Sequence, residues 1–147
     1  MDDTAHRCSV SALFVGGYED ERRLVQEVFR KCGWRLFEAP DRRRAAQCLR
    51  RHTVQVVIAK SDMPGGSWQK MLDHLRRLAR PPLLIVTSRT ADEHLWAEVL
   101  NIGGYDVLAQ PFERDEMVRV IASACRHFGR QPARAGAAPA ELITSMA

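Results

Sequence analysis

The sequence predicts an α/β fold: a parallel sheet, doubly wound, with helices on both faces. Three observations lead there. Short, nearly uncharged apolar runs alternate five times with longer amphipathic stretches. Most of the runs are apolar throughout rather than at every second residue, the mark of strands buried on both faces of a parallel sheet. Gly, Pro and Asp stand between them, the residues that stop helices and turn chains. Right-handed crossovers then force the doubly wound layout.

Ser11–Val15 (SALFV) is the first buried strand. Glu19–Cys32 follows as a helix, with Leu24, Val25, Val28, Phe29 and Cys32 on one face, and Gly33 stops it. Residues 34–39 (WRLFEA) form a half-buried strand closed by Pro40. Asp41 caps a second helix whose apolar face is Ala45, Cys48 and Leu49. Residues 54–59 are the third strand, and the turn Met63-Pro64-Gly65-Gly66 leads into a helix with Trp68, Met71, Leu72 and Leu75 inward. After Pro81-Pro82 come a fourth strand at 83–87 (LLIVT) and a helix near 91–100 burying Leu95, Trp96, Val99 and Leu100. Gly103-Gly104 breaks that helix, 105–109 is a short fifth strand, and a helix at about 113–128 turns Met117, Val118, Ile121, Cys125 and Phe128 to the core. The folded domain is thus 9–128. Residues 129–147, rich in Ala, Gly and Pro without a periodic apolar face, read as a flexible tail.

The 147 residues suffice for one domain with a real core. The N-terminus holds acids and no apolar run, unlike a secretory signal, and no stretch reaches the roughly 18 apolar residues of a membrane span. Cys8, Cys32, Cys48 and Cys125 lack metal-ligand or C-x-x-C spacing, so they read as reduced thiols of a cytoplasmic protein. The five histidines are scattered, and no Ser-His-Asp or Cys-His set falls around one crevice, so no enzyme is expected. The net charge of +4 comes from arginine runs such as Arg42-Arg43-Arg44, which are interleaved with acids and read as solvated helix faces.

Ligands of such sheets sit beyond the carboxyl ends of the strands. The residues there are Gly16, Gly17, Lys60, Ser61, Thr87, Ser88 and Gln110. Gly16-Gly17 lacks the spacing of a dinucleotide loop and reads as a tight turn, with a phosphate cradle as the alternative. Lys60 with Thr87, Ser88 and Gln110 presents converging donors for a small anion, unless an acid partner quenches the charge.

Five βα units with Asp62-Met63-Pro64-Gly65 after the third strand, Val86-Thr87-Ser88 after the fourth and Gln110-Pro111-Phe112 after the fifth resemble the receiver domain of two-component response regulators. The resemblance implies a flavodoxin-like sandwich with strand order 2-1-3-4-5 and five helices, a cis bond before Pro111, and phosphoryl transfer from a histidine kinase to an aspartate beside Mg²⁺. Laid on that pattern, the acidic pair falls on Gly16 and Gly17, and the phosphoacceptor falls on Lys60. The hydroxyl position is kept as Thr87, the lysine becomes Gln110, and the switch aromatic falls on Val107. Three carboxylates and a lysine sum to −2, whereas these positions sum to +1. Mg²⁺ binding is therefore expected to be lost, with no cofactor, and with Asp20 or Asp62 pairing with Lys60.

Three functions compete. The first is a receiver-like module that is not phosphorylated and acts on a protein partner: a kinase, an output protein, another regulator or a second copy. Its contact face would be the fourth helix, fifth strand and fifth helix, with Arg89, Glu93, Glu98, Arg114, Asp115 and Arg119 supplying paired charges. The second is a phosphorylatable stand-alone regulator with an atypical acceptor such as Asp62. The third, ranked last, is nucleic-acid binding through the arginine-rich second helix.

Overall fold

The computed structural model describes residues 9–61, 68–90 and 92–130. Five strands, β1 (Ser11–Val15), β2 (Arg35–Ala39), β3 (Val56–Lys60), β4 (Leu83–Ser88) and β5 (Asp106–Ala109), pair in parallel in the order β2-β1-β3-β4-β5. Five helices connect or follow them: α1 (Glu19–Cys32), α2 (Arg42–Arg51), α3 (Trp68–Arg76), α4 (Glu93–Ile102) and α5 (Arg114–Arg130). This is the flavodoxin-like arrangement the sequence predicts.

Alternate strand residues feed two cores. Leu13, Val15, Val57, Ala59, Leu84 and Val86 pack with residues of α2, α3 and α4, including Leu49, Met71 and Val99. Ala12, Phe14, Val56, Ile58 and Ile85 pack with α1 and α5, through Val25, Phe29, Met117 and Ile121 among others. Each central strand is buried on both sides, which explains its unbroken apolar run.

Helix ends follow their local chemistry. The Asp41 carboxylate accepts the Arg44 N–H at 2.9 Å, and that of Asp92 accepts the Leu95 N–H at 2.9 Å. Gly33 closes α1 in the left-handed region at φ 70°, where an L side chain is strained.

Two expectations need correction. Trp96 and Leu100 were expected inside, yet they are 38% and 48% exposed. Leu95 and Val99, four apart, hold the sheet-facing stripe of α4. One residue further on rotates a side chain by about 100°, which turns Trp96 and Leu100 outward. The second correction concerns the last helix, which continues over Gly129 and Arg130, residues the sequence assigned to the tail. Gly129 does not adopt positive φ, and the roughly 1 kcal/mol that glycine costs a helix does not stop one just anchored by buried Phe128. The rest of the expected tail, 131–147, lies outside the described residues.

Candidate functional site

The carboxyl ends of the strands carry the candidate site. At the end of β1 the Gly16 N–H donates to the Ala39 carbonyl at 2.9 Å, tying the exit to β2. Gly16 and Gly17 then turn the chain at φ 76° and 94°. A Cβ on Gly17 would lie 2.6 Å from Cε2 of buried Phe14, so both the backbone angle and the available space select glycine there.

This tight exit delivers Tyr18 to the N-terminus of α1. Its backbone N–H donates to the Glu21 Oε1 at 3.0 Å. The other Glu21 oxygen accepts from Arg89 Nε at 3.2 Å, although Glu21 is only 6% exposed. Asp20 stands more loosely against Arg89, at 3.9 Å. The phenol ring of Tyr18 meets two cations: Lys60 Nζ lies 4.2 Å and Arg89 Cζ 3.8 Å from its centroid. Such contacts are worth about 0.5–1 kcal/mol each at an exposed position.

The expectation that Asp20 pairs with Lys60 is therefore corrected: Asp20 goes to Arg89, and Lys60 rests on the tyrosine. Arg89 reaches further than lysine and offers a planar fork that suits two carboxylates. Asp62, the other expected partner and the alternative phosphoacceptor, lies outside the described residues together with the Met63-Pro64-Gly65-Gly66 turn.

Lys60 and Gln110 line one cavity of about 190 Å³, with Tyr18, Arg89 and the hydroxyl residues Ser61, Ser88 and Thr90. Gln110 is 8% exposed, and neither its Nε2 nor its Oε1 has a hydrogen-bond partner among the described residues. Its backbone N–H donates to the Ser88 carbonyl at 2.9 Å, and the Gln110–Pro111 bond is cis. The Ser88 hydroxyl accepts the Thr90 N–H at 3.0 Å. Gly16 and Gly17 border a different cavity of about 280 Å³, beside Phe14 and Glu38. Thr87, paired with Lys60 in the sheet, is buried and lines neither of these two cavities. The five positions grouped by the sequence are thus split. Sequence reasoning missed Tyr18 and Thr90 and placed Arg89 elsewhere. The signal for Tyr18 was an aromatic immediately after the glycine pair.

Val107, the residue matched to the switch aromatic in the sequence, is fully packed in the core formed with α2, α3 and α4, and its β-branched side chain is restricted at χ1. Among the six residues assigned to a partner face, Arg89 turns into the site, Glu98 accepts from Gln69 of α3 at 2.9 Å, and Arg114 bonds Glu27 of α1 at 2.7 Å. That contact and the nearby Lys31 lower the Glu27 carboxyl below its ordinary range. Glu93, Asp115 and Arg119 remain exposed. Among the described residues, no three His, Cys, Asp or Glu side chains form a metal-sized cluster, and no helix is long and apolar enough to cross a membrane.

The chain resembles known proteins throughout this fold. It is 34% identical over 118 residues to the uncharacterized transcriptional regulatory protein YrkP of Bacillus subtilis, a match covering 78% of this chain and 49% of that protein. It is 30% identical over 104 residues to the aerobic respiration control protein ArcA of Escherichia coli, covering 67% and 42%. The chain spans about half the length of the curated relatives it matches. Among solved structures, the signal receiver domain of an HD domain-containing protein from Pseudomonas fluorescens superposes with a TM-score of 0.74 at 22% identity, covering 83% of this chain and 98% of that one. The chemotaxis response regulator CheY4 of Vibrio cholerae superposes with a TM-score of 0.70 at 16% identity, covering 78% and 98%. The sequence profile of the response regulator receiver domain matches residues 14–122, and the chain belongs to that family.

Proposed function

We propose that this receiver domain works in two-component signalling without taking up a phosphoryl group, and that it acts by binding a protein partner. The observation that carries the reading is the ammonium of Lys60 at the end of β3, where the sequence pattern of the family puts its acceptor carboxylate. An amine held against a tyrosine ring is no carboxylate nucleophile and forms no acyl phosphate.

The residues present do not fit Mg²⁺. A hard cation needs oxygen ligands, one or two of them carboxylates. Gly16, Gly17 and Lys60 supply no carboxylate; Asp20 and Glu21 are turned to Arg89, and Glu38, which borders the glycines, is turned to Arg22 and Gln26. The domain on this reading needs no cofactor, is no enzyme, and works in the cytoplasm.

The partner surface is α4 with β5 and α5. Trp96, Leu100 and Ile102 stand 38%, 48% and 37% exposed on α4, and Glu93 of α4 and Asp115 and Arg119 of α5 are exposed as well. Exposed aromatic and aliphatic residues beside charged ones are a common composition of protein contacts. A kinase, an output protein, another regulator or a second copy all fit that chemistry.

The test is intact-mass measurement after incubation with Mg²⁺ and acetyl phosphate, alongside a Mg²⁺ titration followed by tryptophan fluorescence. We expect no added phosphoryl mass and no saturable response. An added phosphoryl group would overturn the reading, and its loss in Asp62→Asn would install Asp62 as the acceptor.

A further inference from the structure

We propose that the outer face of α2, with the hollow where α2 and α3 end, is a docking surface for an acidic protein segment that carries an apolar anchor. It is separate from the surface of α4, β5 and α5, and it does not depend on whether the domain takes up a phosphoryl group.

Charge singles out this face. α2 carries five arginines and no acid. Residues 42–54 and 68–82 together hold nine cations against Asp73, a net of +8 in a chain whose total is +4. Arg43, Arg44, Arg50, Arg51 and Arg77 are exposed, and among the described residues no carboxylate pairs with their guanidiniums. Folding does not account for them. Arg43 and Arg44 stand in the first turn of α2, where the helix dipole favours acids and opposes cations, and clustered like charges repel. Burial first, and then Arg77, Arg42 and Arg50, lower the pKa of His74, so guanidiniums from α2 and from the end of α3 act on one imidazole. Seven residues separate Arg43 from Arg50 and Arg44 from Arg51, so each pair shares a helix face at a spacing of about 10.5 Å along the axis. Acids seven apart on a partner helix have the same spacing.

The hollow decides the class of partner. It measures about 340 Å³, and Leu49, Val54, Leu78, Ala79 and Pro82 line it with Arg80. Arg80 rests on the Phe128 ring, 4.4 Å from its centroid, a contact without formal charge. Arg50 and Arg51 directly precede His52, another lining residue. A hollow of this size lies at the lower end of the roughly 300–1,000 Å³ over which ligand sites range, room for an apolar side chain. Aliphatic walls offer nothing to a phosphodiester backbone. Carboxylates on either side of an apolar anchor, by contrast, meet guanidinium forks that match their geometry. The pairing of arginines with an aliphatic hollow therefore favours a protein segment over a nucleic acid.

The experiment is fluorescence anisotropy of a labelled synthetic peptide, with glutamates flanking a leucine-phenylalanine pair, titrated with the full chain at constant ionic strength. Backbone amide NMR places the contact. Saturable binding is expected, with shifts in α2 and at 52–54 and 78–80. Arg43→Glu with Arg44→Glu should weaken binding by about tenfold or more while holding or raising the urea midpoint, because acids suit a first turn. A merely structural role would not move binding and stability in opposite directions. Arg30→Glu with Arg126→Glu makes the same change of charge at exposed residues of α1 and α5 and should leave binding within about twofold. Replacing the leucine-phenylalanine pair by glycines should cost about threefold or more. Absence of saturation, equal weakening by the two double variants, equal affinity for the glycine peptide, or shifts confined to α4, β5 and α5 would overturn the proposal. Tighter binding of a labelled duplex DNA than of the peptide would overturn it in favour of a nucleic acid. Phosphoryl uptake is read as added mass, so the two proposals fail separately.

Discussion

Replacing Gly17 by alanine sets a methyl group against the ring of Phe14. The new Cβ would lie 2.6 and 2.7 Å from two ring carbons, against roughly 3.5–4.0 Å for an ordinary carbon contact. Phe14 is 1% exposed and packed between α1 and α5, so the ring has little room to retreat. Forcing a group into such a layer costs about 1–3 kcal/mol. The backbone adds its own penalty, since Gly17 sits at φ 94°, and left-handed geometry costs an L residue about 1–2 kcal/mol. The sum is roughly 2–5 kcal/mol, a large part of the roughly 5–15 kcal/mol by which domains are stable. Gly33→Ala is the control: it has φ 70° and nothing within 4 Å of its Cβ, so only the backbone penalty of about 1–2 kcal/mol applies. Urea unfolding followed by far-ultraviolet circular dichroism measures both. The gap between the two variants should be about 1–3 kcal/mol, and it should shrink in a Phe14→Leu background. Equal losses would refute the argument that Phe14 occupies the space of a side chain at residue 17.

Two further predictions concern buried groups. Glu21→Ala removes the acceptor of the Tyr18 N–H and the partner of Arg89. Because Arg89 is half exposed and regains water, the expected loss is about 2–3 kcal/mol, with Glu21→Gln losing less than half of it. Denaturant midpoints of the two variants check the order. His74 has a buried Nε2 without a hydrogen-bond partner among the described residues. Burial first, and then the positive charges of Arg77, Arg42 and Arg50, lower its pKa below the ordinary histidine value. The unfolded chain therefore binds a proton at a higher pH than the native one, so this contribution is present above about pH 6.5 and is lost as pH falls through that value toward the lowered native pKa. His74→Gln should flatten the slope of stability against pH in that window, which urea midpoints at several pH values measure. An unchanged slope would sink the assignment.

The fold was legible because each central strand is buried on both faces and each helix carries its own stop signals. Asp41, Gly33 and the run VVIA at the start of β3 report local physics that tertiary context reinforces. The outward turn of Trp96 and Leu100 was not legible, because the apolar residues of α4 spread over more of its circumference than the sheet covers, so the pattern does not single out the buried stripe. At the site, position in the chain correctly put Lys60 and Gln110 at the sheet's carboxyl edge. Partner choice was hidden, because it depends on reach. Arg89 and Glu21 are 68 residues apart, and no spacing rule joins a loop after β4 to the first turn of α1. Tyr18 was passed over because an aromatic after a turn is usually read as packing, and its role emerges only when two cations are seen against one ring.

On the proposed reading, the residues at the sheet edge make physical sense only as a set. Two carboxylates at Gly16 and Gly17 beside the Lys60 ammonium would form an internal ion pair, and such a pair carries a large desolvation cost with uncertain net gain. Glycines remove that pairing. They also allow the positive-φ exit that brings the Tyr18 ring to the amine, so the cation gains a partner that carries no formal charge. Arg89 turns to the acids at the start of α1. An aspartate at residue 60 alone would be a single carboxylate with no second acidic ligand from the glycine turn. An acid at residue 17 as well meets the ring of Phe14. An acidic residue 17 is thus opposed by the backbone angle and by the core ring of Phe14 together.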